Sequence, residues 1–301
     1  MEINMFQVDT FTDVAFGGNP AAVVPNAIGL SEYEMQKIAN EINVSETAFV
    51  VQVDDNLYKV RYFTPISEVD LCGHGAIATF HTLALKGYIK PIQNGIKVVN
   101  QLTKVGKLPL ELHYKDGEVD WIVMEQAAPR SLGSVNNVDK ILETMNLTIE
   151  DIGIGYEYVV PEIISTGLPD IMLPIRSKEV LDNLEIDFCN LGIYTSEINA
   201  IGVHAFYLPD PDSDVVYTRN FAPSVGINEE AATGTSNGAL IYFLKKNKFI
   251  SGDSIISLQG DSLNRPSQIY CFIEKDGEDY KVKVGGRAKI IIDGIITFKR
   301  V

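Results

Sequence analysis

Arg61-Tyr-Phe-Thr-Pro-Ile-Ser-Glu-Val-Asp-Leu-Cys-Gly-His-Gly-Ala76 has a counterpart in the other half of the chain, Arg219-Asn-Phe-Ala-Pro-Ser-Val-Gly-Ile-Asn-Glu-Glu-Ala-Ala-Thr-Gly-Thr235. Both read Arg-x-Phe-x-Pro, then a short loop, then a Gly among small or polar residues, then an apolar run of helical character. A repeat of about half the chain length predicts a duplicated domain and not a solenoid. The fold class read from it is α+β, with two similar domains that each wrap sheet around one buried helix. The expected boundaries are 1–128 for the first domain, completed by a C-terminal strand at 286–301, and 129–285 for the second. A cleft between the two domains is the expected site.

Working outward, the rest of the chain has the same grammar in both halves. Asn4 to Asp9 and Ala21 to Val24 read as strands around the turn Phe16-Gly-Gly-Asn-Pro20. Ile163 to Leu173 contains a Gly-x-Pro turn of the same kind. Ser31-Glu-Tyr-Glu34 is a capping box for a helix with Met35, Ile38, Ala39 and Ile42 on one face. Ala76 to Leu85 is apolar nearly all round, as a core helix should be, with Gly87 as its C′ residue. Residues 95–127 read as strands with a hairpin at Lys115-Asp-Gly117, and Thr235 to Lys246 as the second apolar helix.

Composition bounds the function. The 301 residues are 46% hydrophobic and 22% charged, enough for a substantial core without staples. A net charge of −15 repels phosphates at long range, so neither nucleic acid nor an anionic membrane is expected as a partner. A small anionic substrate remains compatible, because local donors decide its binding. The three cysteines are widely spaced and suggest no disulfide framework. Without a signal-peptide pattern or an apolar run of membrane length, the expected location is cytoplasmic.

Several residues have the chemistry of a site. His74 stands between Gly73 and Gly75 at a predicted helix start, where backbone N–H groups can meet an anion. The plain alternative is a loop histidine beside a turn. Glu46, in Val44-Ser-Glu-Thr-Ala-Phe49, is pressed against an apolar strand, and partial desolvation should raise its pKa towards that of a useful general base. Its alternative is a solvent-facing charge at a sheet edge. Glu229-Glu230 precede the second helix, where carboxylates are commonly dipole partners worth about 0.3–1 kcal/mol each. The repeat sets their loop opposite Cys72 to Gly75. Cys72 reads as a small buried residue, because the second copy offers Ala231 or Glu230 in its place and no thiol. His81, His113 and His204 share no ligand spacing with the cysteines, so no metal site is expected. No phosphate loop and no redox or pyridoxal signature is present.

At these residues the sequence resembles the PhzF family, the phenazine-biosynthesis isomerase-like proteins on the diaminopimelate epimerase-like fold. The resemblance is carried by Asp9-Thr-Phe-Thr12, Gly17-Gly-Asn-Pro-Ala-Ala-Val23, Ser45-Glu-Thr-Ala-Phe49, Phe63 to His74, Ser165-Thr-Gly-Leu-Pro169, Arg219 to Pro223, Ala232-Thr-Gly234, Gln259-Gly260, Arg265-Pro-Ser267 and Val284-Gly-Gly286, in order along the chain. It implies two pseudo-symmetric domains, each a curved mixed sheet or barrel around a central helix. It also implies a homodimer. In the isomerase of this family a Glu of the Ser-Glu-Thr motif moves a proton on a dihydro-hydroxyanthranilate ring without metal or organic cofactor. That role maps onto Glu46, and the His of Cys-Gly-His maps onto His74. The family's second-half motif, Glu-Asp-Pro-Ala-Thr-Gly-Ser-Ala, here reads Glu229-Glu-Ala-Ala-Thr-Gly-Thr-Ser236, so Glu230 replaces Asp, Ala231 replaces Pro and Thr235 replaces Ser. Gly75 takes a position often Ala in the family, an exchange expected to be tolerated at a helix start.

The resulting expectation is an isomerase that needs no cofactor and moves a proton on a small carboxylate-bearing substrate. Glu46, His74, Glu230 and Thr235 are its catalytic candidates, and Ser45, Gly73, Gly75 and Gly234 its substrate-binding candidates. Two alternatives stand beside it. One is an amino-acid epimerase or racemase, which needs two opposed proton carriers. The other is a non-catalytic protein that binds small carboxylates.

Overall fold

Ser31 closes the predicted capping box: its hydroxyl accepts the Glu34 N–H at 3.3 Å, and the Glu34 carboxylate accepts the Ser31 N–H at 2.7 Å. The helix it opens, α1 (Glu32–Ile42), ends at Asn43 in the left-handed conformation. Met35, Ile38 and Ala39 bury its apolar face against Ile3, Val24, Phe49 and Phe63. The structure, a computed structural model, describes residues 1–211 and 213–299. The last two residues of the expected C-terminal strand, Arg300 and Val301, lie outside them. The chain forms two compact units, Met1–Glu125 with Gly285–Val301, and Gln126–Val284.

In the first unit, Asn19–Val24 runs antiparallel to Glu2–Thr10 and parallel to Glu46–Asp54. The latter pairs antiparallel with Leu57–Phe63, which lies parallel to Gly95–Thr103, itself antiparallel to Gly106–Lys115. Ala288–Thr297 borders Glu2–Thr10 on its other side. Side chains alternate across these strands. Phe49, Arg61 and Phe63 face α1, where Arg61 pairs with Glu32 at 2.7 Å. Glu46, Ala48, Val60 and Tyr62 therefore face the other way, towards the central helix, α2 (Gly73–Leu85). That helix is buried from His74 to Ala84, which explains a sequence with hardly a polar face.

The second unit repeats this topology. Pro169–Pro174 is antiparallel to Glu162–Ser165 and parallel to Gly202–Tyr207. Next come the antiparallel Val215–Ala222, the parallel Ser254–Gln259 and the antiparallel Ser267–Asp276. Three helices, α3 (Val138–Thr144), α4 (Lys178–Asp182) and α5 (Phe188–Glu197), cover one apolar core made of Ile171, Leu173, Val203, Ala205 and Phe221. The second central helix, α6 (Gly234–Lys246), packs against Glu162–Ser165, Pro169–Pro174 and Ser267–Asp276. The architecture is α+β, a mixed sheet with few helices. Among the described residues no helix is long and apolar enough to cross a membrane.

The Arg-x-Phe-x-Pro repeat proves to be a clamp. Arg61 makes a bidentate contact with Glu68, 2.7 Å on each side, and Arg219 makes the same contact with Glu229 at 2.8 and 2.9 Å. Each guanidinium lies over the Phe two positions on, at 5.1 and 5.0 Å from the ring centre. The hydrogen bonds from Arg61 hold the Glu68 carboxyl down to about 2. Glu68 and Glu229 thus tie back the loops that lead into α2 and α6. The adjacent carboxylates Glu229 and Glu230 have separate tasks, and Glu229 belongs to the clamp.

Candidate active site

Glu46 opens its strand directly beside the first turn of α2, two residues earlier than the apolar run suggests. The helix also begins earlier than its apolar run, so His74 lies inside the first turn and Cys72 is the N-cap. The Cys72 Sγ accepts the Gly75 N–H at 3.2 Å, doing with sulfur what a Ser or Asp oxygen usually does. His74 Nε2 stands 2.8 Å from Glu46 Oε2, and its ring nitrogens lie 3.6 and 3.8 Å from Cys72 Sγ. Both Cys72 and His74 are 7% exposed, while 19% of the Glu46 side chain is open. Oε2 itself is buried and lies off the N–H direction, so it has a charge partner and no aligned hydrogen bond. The open part of the Glu46 side chain therefore does not include Oε2.

The electrostatics correct one expectation. Burial does push Glu46 upward, but the charge of the adjacent His74, with a contribution from Cys72, outweighs it and holds the carboxyl below its ordinary value. Burial likewise opposes a charged His74, yet Cys72 and Glu46 raise it well above the usual imidazole value. The resting pair is a carboxylate beside an imidazolium. Glu46 is a base because it is already ionised. Burial and the neighbouring Glu46 charge push the Cys72 thiol up, so it stays protonated.

Gly75 is closely enclosed. A Cβ there would stand 3.0 Å from both Cys72 Sγ and the ring of Tyr62. Tyr62 is fully buried and donates to Gln101 at 2.8 Å, so it has little room to yield. Alanine at 75 is accordingly not a neutral exchange in this chain. Gly73 is half-buried beside the pair, and Ser45 is exposed on the approach to the Glu46 strand.

The remaining candidates lie in the second unit. Glu230 Oε2 accepts the Thr233 hydroxyl at 2.9 Å. Thr233 is the N-cap of α6 and so occupies the place Cys72 holds on α2; Ala231 and Glu230 are not its counterparts. Thr235, half-buried in the first turn after Gly234, has its carbonyl bound by the Thr166 hydroxyl at 2.8 Å. The structure thus groups Glu46 with His74, Gly73 and Gly75 in one unit, and Glu230 with Gly234 and Thr235 in the other.

Sequence reasoning passed over a buried polar network beneath α6. Asp170 is 3% exposed and accepts the Ser236 hydroxyl. Asn220 donates to Ser236 at 3.2 Å and to His204 Nδ1 at 3.2 Å, and His204 Nε2 donates to the Asn237 carbonyl at 3.2 Å. Asn237 and Thr233 both reach Gln259, whose Nε2 donates to the Glu230 carbonyl at 2.8 Å. The chain of contacts therefore runs from Asp170 to Glu230. Burial is the main cause that raises Asp170 to about 6, helped by the charge of Glu230 and opposed by Ser236 and the Gly202 N–H. Burial lowers His204 to about 4, so it is neutral, in keeping with one donating and one accepting nitrogen. An acid heading an apolar strand, in Pro169-Asp170-Ile-Met-Leu, was the available signal.

These features have relatives. A family model described as phenazine biosynthesis-like protein, PhzC-PhzF, matches residues 8–294. The chain belongs to this PhzF family. It is 36% identical over 301 residues to an uncharacterized isomerase of Clostridium acetobutylicum, with 96% of each chain covered. The crystal structure of a PhzF-family phenazine biosynthesis protein from Bacillus anthracis superposes with a TM-score of 0.85 at 27% identity, covering 99% of this chain and 100% of that one. A hydroxyproline epimerase of Agrobacterium vitis shares the fold alone, with a TM-score of 0.63 at 13% identity over 98% of this chain and 91% of its own. A mixed sheet with few helices is thus the PhzF arrangement, and the wider fold extends to epimerases.

Proposed function

We propose that this PhzF-family protein is an isomerase that moves a proton between two carbons of a small carboxylate-bearing substrate, with Glu46 as the proton carrier. The observation that carries the reading is the buried Glu46–His74 pair at 2.8 Å, which keeps the carboxylate ionised in a partly dry setting. The carboxylate, through the oxygen that is not packed on His74, removes a proton from one carbon and returns it to another. No oxidant, reductant or second substrate enters the balance. His74 stabilises the negative charge that spreads over the substrate as the carbon–hydrogen bond breaks, and Gly73 leaves room for the substrate to approach the first turn, whereas the Gly75 N–H is taken up by Cys72. Glu230, Thr235 and Gly234 are proposed as orienting groups of the second unit, Ser45 as a substrate contact, and the working form as a cytoplasmic homodimer.

The substrate proposed from the family resemblance is trans-2,3-dihydro-3-hydroxyanthranilate or a close analogue. Incubation with it in heavy water should give product carrying solvent deuterium, and Glu46→Gln should abolish the label. Conversion that survives Glu46→Gln would overturn the role of Glu46. Absence of both conversion and label would overturn this substrate class. The counterpart of Cys72 weighs against the epimerase alternative in its two-thiol form, since the N-cap of α6 is Thr233 and offers no second thiol.

A further inference from the structure

We propose that Glu46, Cys72 and His74 also form a three-ligand site for a zinc-class divalent cation, with the fourth position open, and that an ion bound there silences the proton carrier. The binding claim stands on geometry and does not depend on the isomerase reading; only the silencing rests on it.

The three residues are far apart or oddly spaced in sequence, which hides the site from motif searching. Folding brings one donor atom from each to within 4.8 Å of the others. In a tetrahedral zinc site built from nitrogen, oxygen and sulfur at ordinary bond lengths, the donors stand about 3.3–3.6 Å apart. Here His74 Nε2 is 2.8 Å from Glu46 Oε2 and 3.8 Å from Cys72 Sγ. The first distance must open by about half an ångström and the second close by a few tenths, shifts that side-chain rotation supplies without moving the helix.

Two observations point to a ligand. Glu46 Oε2 is buried and has no hydrogen bond, so it is an acceptor already stripped of water. Cys72 Sγ, the N-cap of a thirteen-residue helix, accepts the Gly75 N–H at 3.2 Å and is thereby held beside the His74 ring, and an ion bound there would displace the thiol proton. Thiolate and imidazole together select zinc or cadmium over magnesium or calcium. The open part of the Glu46 side chain gives the ion a way in and leaves one face for water or a substrate carboxylate. An ion there would hold the Glu46 carboxylate and the His74 nitrogen at once, removing both partners of the proposed proton transfer.

The test uses the full-length protein, stripped with a chelator and titrated with cobalt(II) as a spectroscopic stand-in for zinc. The expected result is one cobalt per chain, with a near-ultraviolet sulfur-to-cobalt band and strong visible bands of a tetrahedral site, both erased by one equivalent of zinc. Cys189→Ser should leave the bands unchanged, because Cys189 is an exposed thiol elsewhere. Cys72→Ser should lose the sulfur band, and Glu46→Gln should weaken cobalt binding by about tenfold or more. Circular dichroism checks that each variant is folded; if Cys72→Ser is not, the Glu46→Gln affinity decides. No sulfur band in the wild type, a band that survives Cys72→Ser, a band lost in Cys189→Ser, or unchanged affinity in Glu46→Gln would each overturn the proposal.

Discussion

Asp170→Asn should alter how stability depends on pH, in a direction the structure fixes. Asp170 is wholly enclosed, and burial with the nearby Glu230 charge raises it from 3.8 to about 6. The folded protein therefore holds this proton more tightly than the unfolded chain does. Stability from this group is greatest when the acid is protonated in both states. It falls as pH rises from near 4 to near 6, and is constant above. Integrating between those limits, the folded state loses about 2 kcal/mol between pH 4.5 and pH 8 on account of Asp170 alone. Asparagine keeps an acceptor for Ser236 and carries no charge. Urea unfolding of the two proteins at pH 4.5 and pH 8 gives the comparison, and the other titrating groups cancel between them. The variant should gain about 2 kcal/mol on the wild type between the lower and the higher pH, whatever constant offset the amide introduces. A difference that does not change with pH would show that Asp170 is ionised in the fold and that the network beneath α6 has been misread.

His74→Asn should shift the acid limb of the Glu46-dependent exchange rate to higher pH, because burial of the carboxyl would then be opposed only by Cys72; an unmoved limb would remove His74 as the cause of the ionised state. Gly75→Ala should destabilise by about 1–2 kcal/mol, the overpacking against Tyr62 and Cys72 exceeding the helix-propensity gain of alanine, as read by thermal or urea unfolding. Arg219→Ala should cost about 3 kcal/mol in the same assay, since it leaves the nearly buried Glu229 without its bidentate partner and also frees the Leu181 carbonyl that Arg219 binds. Arg219→Lys should recover only part of that loss, because an ammonium cannot reproduce the planar two-point contact.

Much of the architecture was legible because duplication wrote it twice. The capping box at Ser31, the αL stop at Asn43, the Asp116-Gly117 hairpin and the two apolar helices follow from local chemistry that context did not overrule. Helix starts were less legible. Apolar periodicity begins at Ala76, whereas backbone N–H capping by Cys72 begins the helix at Gly73, so His74 moved from loop to first turn. Helix α5 escaped notice because Phe-Cys-Asn-Leu-Gly-Ile-Tyr-Thr is poor in strong helix formers; the Asp187 cap and the burial of Leu191 and Tyr194 hold it. At the site, residue types identified Glu46 and His74, but the sign of the Glu46 shift depends on a 2.8 Å contact that no spacing encodes. Asp170 was missed for a related reason: one acid among apolar neighbours resembles a strand end until Ser236, Gly202 and Glu230, from three other elements, close over it.

Gly202 decides where the second half can place an acid. In the first unit Ala21 sits across the parallel pair from Glu46; in the second, Asp170 sits across from Gly202. Each half thus keeps one carboxylate under its central helix, but on opposite members of the strand pair. A side chain at 202 would drive its Cβ to within 2.0 Å of the Phe221 carbonyl oxygen, a backbone atom that cannot step aside. The second half is therefore barred from carrying an acid at the position Glu46 occupies in the first. One packing contact thus keeps the two halves unequal, and any acid placed under α6 from this strand pair must stand at Asp170.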